Sequence, residues 1–216
     1  MENKIILIGA GCNCKKIIDI LDSYNFKIYG VLDDKYEGDE INFYSNTKII
    51  GKIQDVNNYS NYNIYVTIGS IIFRRNFFNK YNNLKYPNLI HKNSYISKTC
   101  KLGKGIIVHY GSYIGSDSVI DDFCHIDTNS CIEHDCKLGN NVMICPGVNF
   151  CGNSIIQNNV FIGAGATINN SINKQIIIGN NCFIGSGSLI VKSINDNILY
   201  YGTPFNYKNK PSPHSL

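Results

Sequence analysis

The sequence contains no run of about five or six like charges and no basic stripe interleaved with aromatics. Its 20 lysines and arginines lie scattered among 16 acids, for a net charge of +4. That pattern excludes nucleic acid as the expected partner. No segment approaches the roughly 18 apolar residues that a membrane span needs, which excludes a membrane partner. The opening MENKIILIGAGCN holds a short apolar stretch with no signal-peptide cleavage pattern, and a cytoplasmic location is expected. Also missing is any CxxC pair with zinc spacing, so no metal is expected. Nine cysteines are present, an odd number in a chain that nothing directs to secretion, and free thiols are the expectation.

What is present divides into two halves with different periods. Before about residue 90, apolar runs alternate with helical patterns: KIILIGA (4–10), KIYGVLDD (27–34) and NIYVTIGS (63–70) read as strands. CKKIIDILDSY (14–24) puts Ile17, Ile18 and Leu21 on one helical face, and IIFRRNFFNKYNN reads as a helix after the third strand. Strand, glycine turn, helix and strand imply a small parallel sheet of Rossmann type, with its ligand crevice at the carboxyl ends of the strands.

From Ser94 the period becomes six. The aliphatic place falls at Ile96, Leu102, Val108, Ile114, Ile120, Ile126, Ile132, Leu138, Ile144, Phe150, Ile156, Ile162 and Ile168, and resumes at Ile178, Ile184 and Ile190. Such hexads predict a solenoid of short parallel strands, three hexads to a coil, so that residues 18 apart stack. The ten-residue step from Ile168 to Ile178 carries four extra residues that must loop out of the wall. The expected fold is therefore an α/β Rossmann-like domain over 1–90 followed by a parallel β-helix with a C-terminal tail over 91–216. Cys100, Cys124, Cys136 and Cys182 all stand two places before the aliphatic residue, where Ser94, Ser112, Ser118, Ser130, Ser154 and Ser188 also stand. A corner that takes only a small side chain explains those four thiols. Cys131, Cys145 and Cys151 lie elsewhere in the hexad, which leaves a thiol nucleophile open there without other support.

ILIGAGCNCKK resembles a dinucleotide fingerprint, with Gly9 for the tight turn and Gly11 for close backbone approach to a phosphate, but Cys14 stands where a third glycine would be. Asp33 and Asp34 end the second strand, where an acid can accept a ribose hydroxyl or simply terminate a turn. Gly69 and Ser70 end the third strand at the same edge. Three strand ends meeting at one crevice favour a nucleotide. A nicotinamide cofactor would need a second mononucleotide half, for which about 90 residues leave no room, so a nucleotide carried as the handle of a substrate fits better.

In SCIEHDCKLG, His134 lies between Glu133 and Asp135. One coil above it stands Gly152, whose missing side chain leaves space and a backbone amide that could polarise a carbonyl. An imidazole oriented by a carboxylate is a competent general base; a wall histidine in a polar column is the plainer alternative. His109 and His125 occupy other places in the hexad and are expected to be surface or interface residues. Convergence of all three imidazoles would instead make a zinc hydratase.

The glycine loop, GVLDD, TIGSIIFRR, SCIEHDCKLG with NNVMICPGVNFCGN, and the terminal YYGTPFNYK together resemble the sugar acetyltransferases of the NeuD, PglD and PerB group over nearly the whole chain. The resemblance implies a homotrimer of left-handed β-helices, with acetyl-coenzyme A as co-substrate between neighbouring helices. It implies His134 as the base that deprotonates the acceptor amine, Asp135 as its partner, Asn13 and Cys14 at the diphosphate, Asp33 and Asp34 at the uracil and ribose, and Gly69 and Ser70 closing that pocket. It also implies contacts of Gly152 and Ala164 to the thioester and pantetheine arm. The chain departs from the family pattern in several places. Asn13 before Cys14 replaces histidine before glycine, Met143 replaces a second histidine near the coenzyme, and Asp127 replaces an asparagine at the acceptor. Lys208 is a displaced candidate for the coenzyme phosphate. The implied reaction is direct acetyl transfer to a UDP-linked 4-amino-4,6-dideoxy sugar, and the alternatives are O-acetylation of sialic acid or a related sugar and a non-catalytic nucleotide-sugar-binding protein.

Overall fold

In the computed structural model, residues 4–169 and 175–202 are described in full and 207–211 by backbone alone. The chain divides into two units, Met1–Pro87 and Asn88–Leu216.

In the first unit the apolar run becomes β1 (Ile5–Ile8), buried along its whole length, followed by α1 (Cys12–Ser23). Cys14, Ile17, Ile18 and Leu21 repeat at helical spacing and are fully buried, so this one face anchors α1. β2 (Ile28–Leu32) and β5 (Asn63–Val66) flank β1 in parallel, as the alternating pattern predicts. α2 (Ile71–Lys80) follows β5, its N-terminus capped by the Ser70 hydroxyl, which accepts the Phe73 amide at 3.3 Å. The sheet also holds two strands that the sequence reading leaves out, β3 (Ile41–Tyr44) and β4 (Thr47–Gly51), in the order β3-β4-β2-β1-β5. They form an antiparallel hairpin whose turn residues Ser45 and Asn46 both have positive φ, 47° and 59°. Two left-handed residues make the turn that matches strand twist, but without the Asn-Gly or Asp-Gly signature that would announce it.

The second unit is the solenoid. Each hexad contributes a strand mostly of two residues, and the strands stack into three walls of parallel ladders. Ile114 pairs with Ile132, Ile120 with Leu138 and Ile126 with Ile144, in each case 18 residues apart. The aliphatic places therefore fill one continuous interior, in which Ile114 through Ile168 are at most 1% exposed. Each such side chain contributes roughly 1.5–3 kcal/mol relative to exposure. This is the parallel solenoid that the period implies, of the left-handed hexapeptide type that the resemblance implies. Past the insertion the pairing steps by 22, Ile156 to Ile178, and the register is restored. The insertion's residues 170–174 lie outside the described residues. The last coil steps by 16, Ile184 to Tyr200, so the period shortens where the strict hexads end.

Two further regularities hold the corners. The serines and cysteines two places before the aliphatic residue point inward, and several donate to a carbonyl 15 residues on. Ser112 reaches Asp127 at 2.8 Å, Ser118 reaches Glu133 at 2.9 Å, and Cys124 reaches Gly139 at 3.1 Å. Hydroxyl and thiol are interchangeable here because each is small and carries one donor. Burial pushes the Cys136 and Cys182 thiols up to about 11. All nine cysteines are free. Three places after the aliphatic residue the backbone turns left-handed, at Asp117, Asn129, Asp135, Asn141, Asn153 and Asn159 and at Gly147 and Gly165. These are the residue types that tolerate positive φ. Phe123 occupies the same place at 63° and is the exception.

Candidate active site

His134 and Asp135 stand where the wall strand Cys131–Ile132 ends, before the strand Lys137–Leu138 of the next wall. Asp135 is the left-handed residue of that corner, at φ 57°. The turn itself thus demands a residue such as Asp, and it brings the carboxylate back to the preceding imidazole. Nδ1 of His134 lies 2.7 Å from Oδ2 of Asp135. A proton on Nδ1 donated to the carboxylate leaves the Nε2 lone pair as the base. Both side chains are more than half exposed, 59% and 58%, so an acceptor can reach the ring. The corner is held from the coils on either side. Ser118 binds the Glu133 carbonyl, Asp135 donates its amide to the Ser116 carbonyl, and the His134 carbonyl accepts the Asn153 amide, the last two at 2.9 Å.

Gly152 covers the ring. A Cβ added there would lie 2.6 Å from both Cε1 and Nε2 of His134, so any side chain would displace the imidazole. Gly152 is itself buried, and the imidazole, more than the solvent, is what occupies the space beside it. Glu133, the other acid of the motif, faces Cys131, whose thiol lies 3.6 Å from Oε1. Desolvation, then the Glu133 charge, raises that thiol's pKa, which weighs against Cys131 as a nucleophile.

The remaining solenoid candidates lie on a different edge. Asp127 and Ala164 follow the strands His125–Ile126 and Phe161–Ile162 of another wall, and Met143 is a buried member of that wall between His125 and Phe161. One chain therefore does not bring Met143, Asp127 or Ala164 to His134. Nor do three imidazoles converge: His109 and His125, expected at the surface or an interface, are instead buried within the chain and meet each other, while His134 stands on its own edge. Among the described residues no group of three or more His, Cys, Asp or Glu is placed to hold a metal ion. Lys208 belongs to the strand Tyr207–Pro211, and its side chain lies outside the described residues.

In the first unit the glycine loop opens a hollow of about 320 Å³ lined by Gly9, Gly11, Asn13, Asp33 and Gly69, together with Lys35. Gly9 has φ 98°, and a Cβ there would lie 2.3 Å from Ile68, so glycine is required by the chain's own packing. Gly11 is different: its φ is ordinary and a Cβ would meet nothing within 4 Å, so only a ligand could require glycine there. Asp33 turns out to be a clamp. Its Oδ2 accepts the Ala10 amide at 2.6 Å and its Oδ1 the Lys35 amide at 3.0 Å, tying the loop to the end of β2. Asp34 points elsewhere, accepting the Ile53 amide at 3.2 Å and lining a separate hollow with Lys52 and Asp55. Cys14 is fully buried with its thiol toward Thr67, pushed up to about 12 chiefly by desolvation, and does not line the crevice. Ser70 is spent on capping α2. Lys35 is the residue missed by sequence reasoning; its place directly after the two aspartates was the available signal.

Comparison with known proteins agrees with this architecture. Residues 4–81 match the PglD N-terminal domain, and residues 135–170 match the bacterial transferase hexapeptide, six repeats. The structure superposes on the acetyltransferase domain of PglB from Neisseria gonorrhoeae with a TM-score of 0.84 and 28% identity, covering 95% of this chain and 98% of that one. That domain has also been solved in complex with acetyl coenzyme A. PerB from Caulobacter crescentus, solved with CoA and GDP-perosamine, shares the fold with a TM-score of 0.83 and 23% identity over 95% of this chain and 97% of that one. A curated relative, the uncharacterized protein L142 of Acanthamoeba polyphaga mimivirus, is 36% identical over 119 residues, 55% of this chain. The chain spans about a quarter of that relative's length, 24%. The chain thus joins a segment similar to the PglD N-terminal domain to repeats similar to the bacterial transferase hexapeptide. Over nearly its whole length it is similar in fold to the acetyltransferase domain of PglB.

Proposed function

We propose that the protein, acting as a cytoplasmic homotrimer, transfers the acetyl group of acetyl-coenzyme A to the 4-amino group of a nucleotide-linked amino sugar, UDP-4-amino-4,6-dideoxy sugars being the first class to test. The observation that carries the reading is the half-exposed His134, its Nδ1 held by Asp135 at 2.7 Å under the glycine at 152. The amine nitrogen attacks the acetyl carbon, His134 Nε2 takes the proton that nitrogen loses, and the imidazolium returns it to the sulfur as the carbon–sulfur bond breaks and the coenzyme leaves as the thiol. Asp135 stabilises the imidazolium formed at that moment. No acyl-enzyme is needed. With a pKa near 8, only a minority of such amine is neutral at pH 7, so a base in reach supplies the reactive form.

Two features of the chain support the remaining parts. The candidates fall on two separate edges of the solenoid, His134 with Gly152 on one and Asp127 with Ala164 on the other. A site made between copies of the chain would use both. The clamped glycine loop, with Lys35 beside it, supports a diphosphate in the first unit. The test is thiol release from acetyl-coenzyme A with a panel of amino sugar nucleotides and their hydroxyl analogues. Amine-dependent release that disappears in His134→Ala is expected. Equal release with the hydroxyl analogue would point to O-acetylation, and binding without release would point to a sensor.

A further inference from the structure

Two features beside His134 take no part in acetyl transfer as described above: the acid at 133 and a pair of exposed aromatics on the same wall. Tyr95, Tyr113 and Cys131 stand in one outward column, paired in register on successive coils. The two tyrosine rings stack at 5.4 Å between centroids and 10° between planes, yet they are 58% and 37% exposed. One face of Tyr113 is thus covered by Tyr95, and the other is turned to the coil of Cys131, a small side chain. Two residues further along stands Gly115. A Cβ there would lie 2.8 Å from the His134 amide nitrogen and 2.9 Å from the Glu133 carbonyl carbon, so the coil above demands glycine. No outward side chain then separates the Tyr113 ring from the corner that carries His134. At about 3.3 Å per residue the bare strip is roughly 7 Å long, close to the span of one hexose ring.

Glu133 overhangs this strip, directly above Gly115 and half-buried. The groups that face it are the Tyr113 phenol from the coil below, the Cys131 thiol at 3.6 Å, and the Cys136 thiol. Desolvation first, and the Glu133 charge after it, raise the pKa of all three. Cys151, one coil above, turns its thiol to Asn169 at 3.5 Å. His134 gives its Nδ1 to Asp135 instead. Among the described residues no lysine or arginine pairs with Glu133. A half-buried carboxylate facing only a phenol and thiols is complementary to a cation from outside the chain.

We infer that Tyr113 and Glu133 form the seat of the acceptor sugar beside His134, the phenol ring under the C–H face of a deoxy hexose and the carboxylate against its ammonium. This rests on the acetyl-transfer reading and adds to it the residues that select an amine over a hydroxyl. The face of an aromatic ring is the negative part of its quadrupole, which suits C–H groups and a nearby cation alike. The role is binding alone. Near pH 7 most of the amine is ammonium, Glu133 holds that form, and the ammonium sheds one proton to solvent before its nitrogen attacks. Glu133 therefore lowers KM and leaves the chemical step to His134.

The test is steady-state kinetics of the full-length protein with the amino sugar nucleotide that gives thiol release. At about pH 6.5, Glu133→Gln should raise KM for that acceptor by about 10–100-fold, with kcat and the coenzyme KM unchanged. The ratio should shrink toward one at about pH 9.5, where the amine is neutral. Tyr113→Ser should raise KM by roughly 3–10-fold, and Tyr113→Phe, which keeps the face, should not. A fall in kcat with KM unchanged would make Glu133 part of the proton transfer, and a KM ratio independent of pH would make its role structural; either overturns the proposal. So would an altered oligomeric state of Tyr113→Ser with KM unchanged, which would give the stacked rings to a second copy of the chain. Saturation-transfer NMR with methyl 4-amino-4,6-dideoxyglucoside, which needs neither nucleotide nor acetyl-coenzyme A, keeps the two readings apart. Binding of this amine in preference to its 4-hydroxyl counterpart, lost in Glu133→Gln, upholds the seat even where no thiol is released. Thiol release with a KM unmoved by Glu133→Gln leaves acetyl transfer standing and removes the seat.

Discussion

The glycine-loop crevice between residues 9 and 69 and the imidazole edge between residues 133 and 152 place their chemistry by different means. On the imidazole edge every position is set by a repeat: the hexad fixes which residue points inward, and the 18-residue coil fixes what stands above and below. In the crevice nothing repeats. Position there depends on single contacts such as the Asp33 carboxylate on the Ala10 amide. A periodic scaffold makes neighbours readable from spacing alone, whereas a loop crevice must be seen to know which side chains are spent on holding it together.

The sharpest way to break this comparison is at the base itself. His134→Ala should reduce kcat by about 10²–10⁴-fold, as expected for loss of a general base, with the circular dichroism unchanged because the ring is more than half exposed. In the crevice the corresponding test is a pair. Gly9→Ala should cost roughly 2–4 kcal/mol in unfolding free energy, since the added carbon meets Ile68 and the backbone is left-handed. Gly11→Ala should leave stability unchanged and weaken nucleoside diphosphate binding in calorimetry; unchanged affinity would mean that no phosphate packs on that loop. Gly152→Ala probes the imidazole edge again. Displacing the ring should lower kcat by roughly a hundredfold with the fold intact.

Smaller effects sharpen the contrast. Phe123→Asn, at the left-handed corner place that Asn, Asp and Gly fill elsewhere, should raise stability by about 1 kcal/mol in chemical denaturation; an unchanged or lower stability would show that the contacts of the ring, the one with Lys104 among them, outweigh the backbone strain. The interior thiols should produce the smallest change, an alkaline one. Cys136 and Cys182 are raised from 9.0 to about 11 by desolvation, so the folded state holds protons that the unfolded state has released. Their contribution is complete below about pH 9 and is lost as pH rises toward 11. The double Cys→Ser variant, which keeps the donor at each corner, should flatten thermal midpoint against pH over that window; an unchanged slope would show that these thiols ionise freely when folded.

How much was legible follows the same division. The aliphatic hexads predicted the walls, the stacking by 18 and the inward-facing small residues, and His134 beneath Gly152 came from that arithmetic. A second period was present and unread: Asp, Asn or Gly three places after the aliphatic residue, which explains why Asp135 must be where it is. The paired aspartates, by contrast, read as one site and proved to serve two places, and Cys14 read as a loop residue and proved to be core. The β3–β4 hairpin escaped because its Ser-Asn turn carries no glycine.

By itself the sequence determined the two-part architecture and the coil register of the second part, because burying one aliphatic side chain every six residues leaves the backbone a single periodic solution. Only the tertiary structure decided which polar side chains are free to act. Whether Asp33 holds a ligand or a loop, and whether His109 and His125 meet or stand apart, depends on distances of about 3 Å that close between segments remote in the chain. No periodicity encodes those distances, since each is set by the packing of several segments at once.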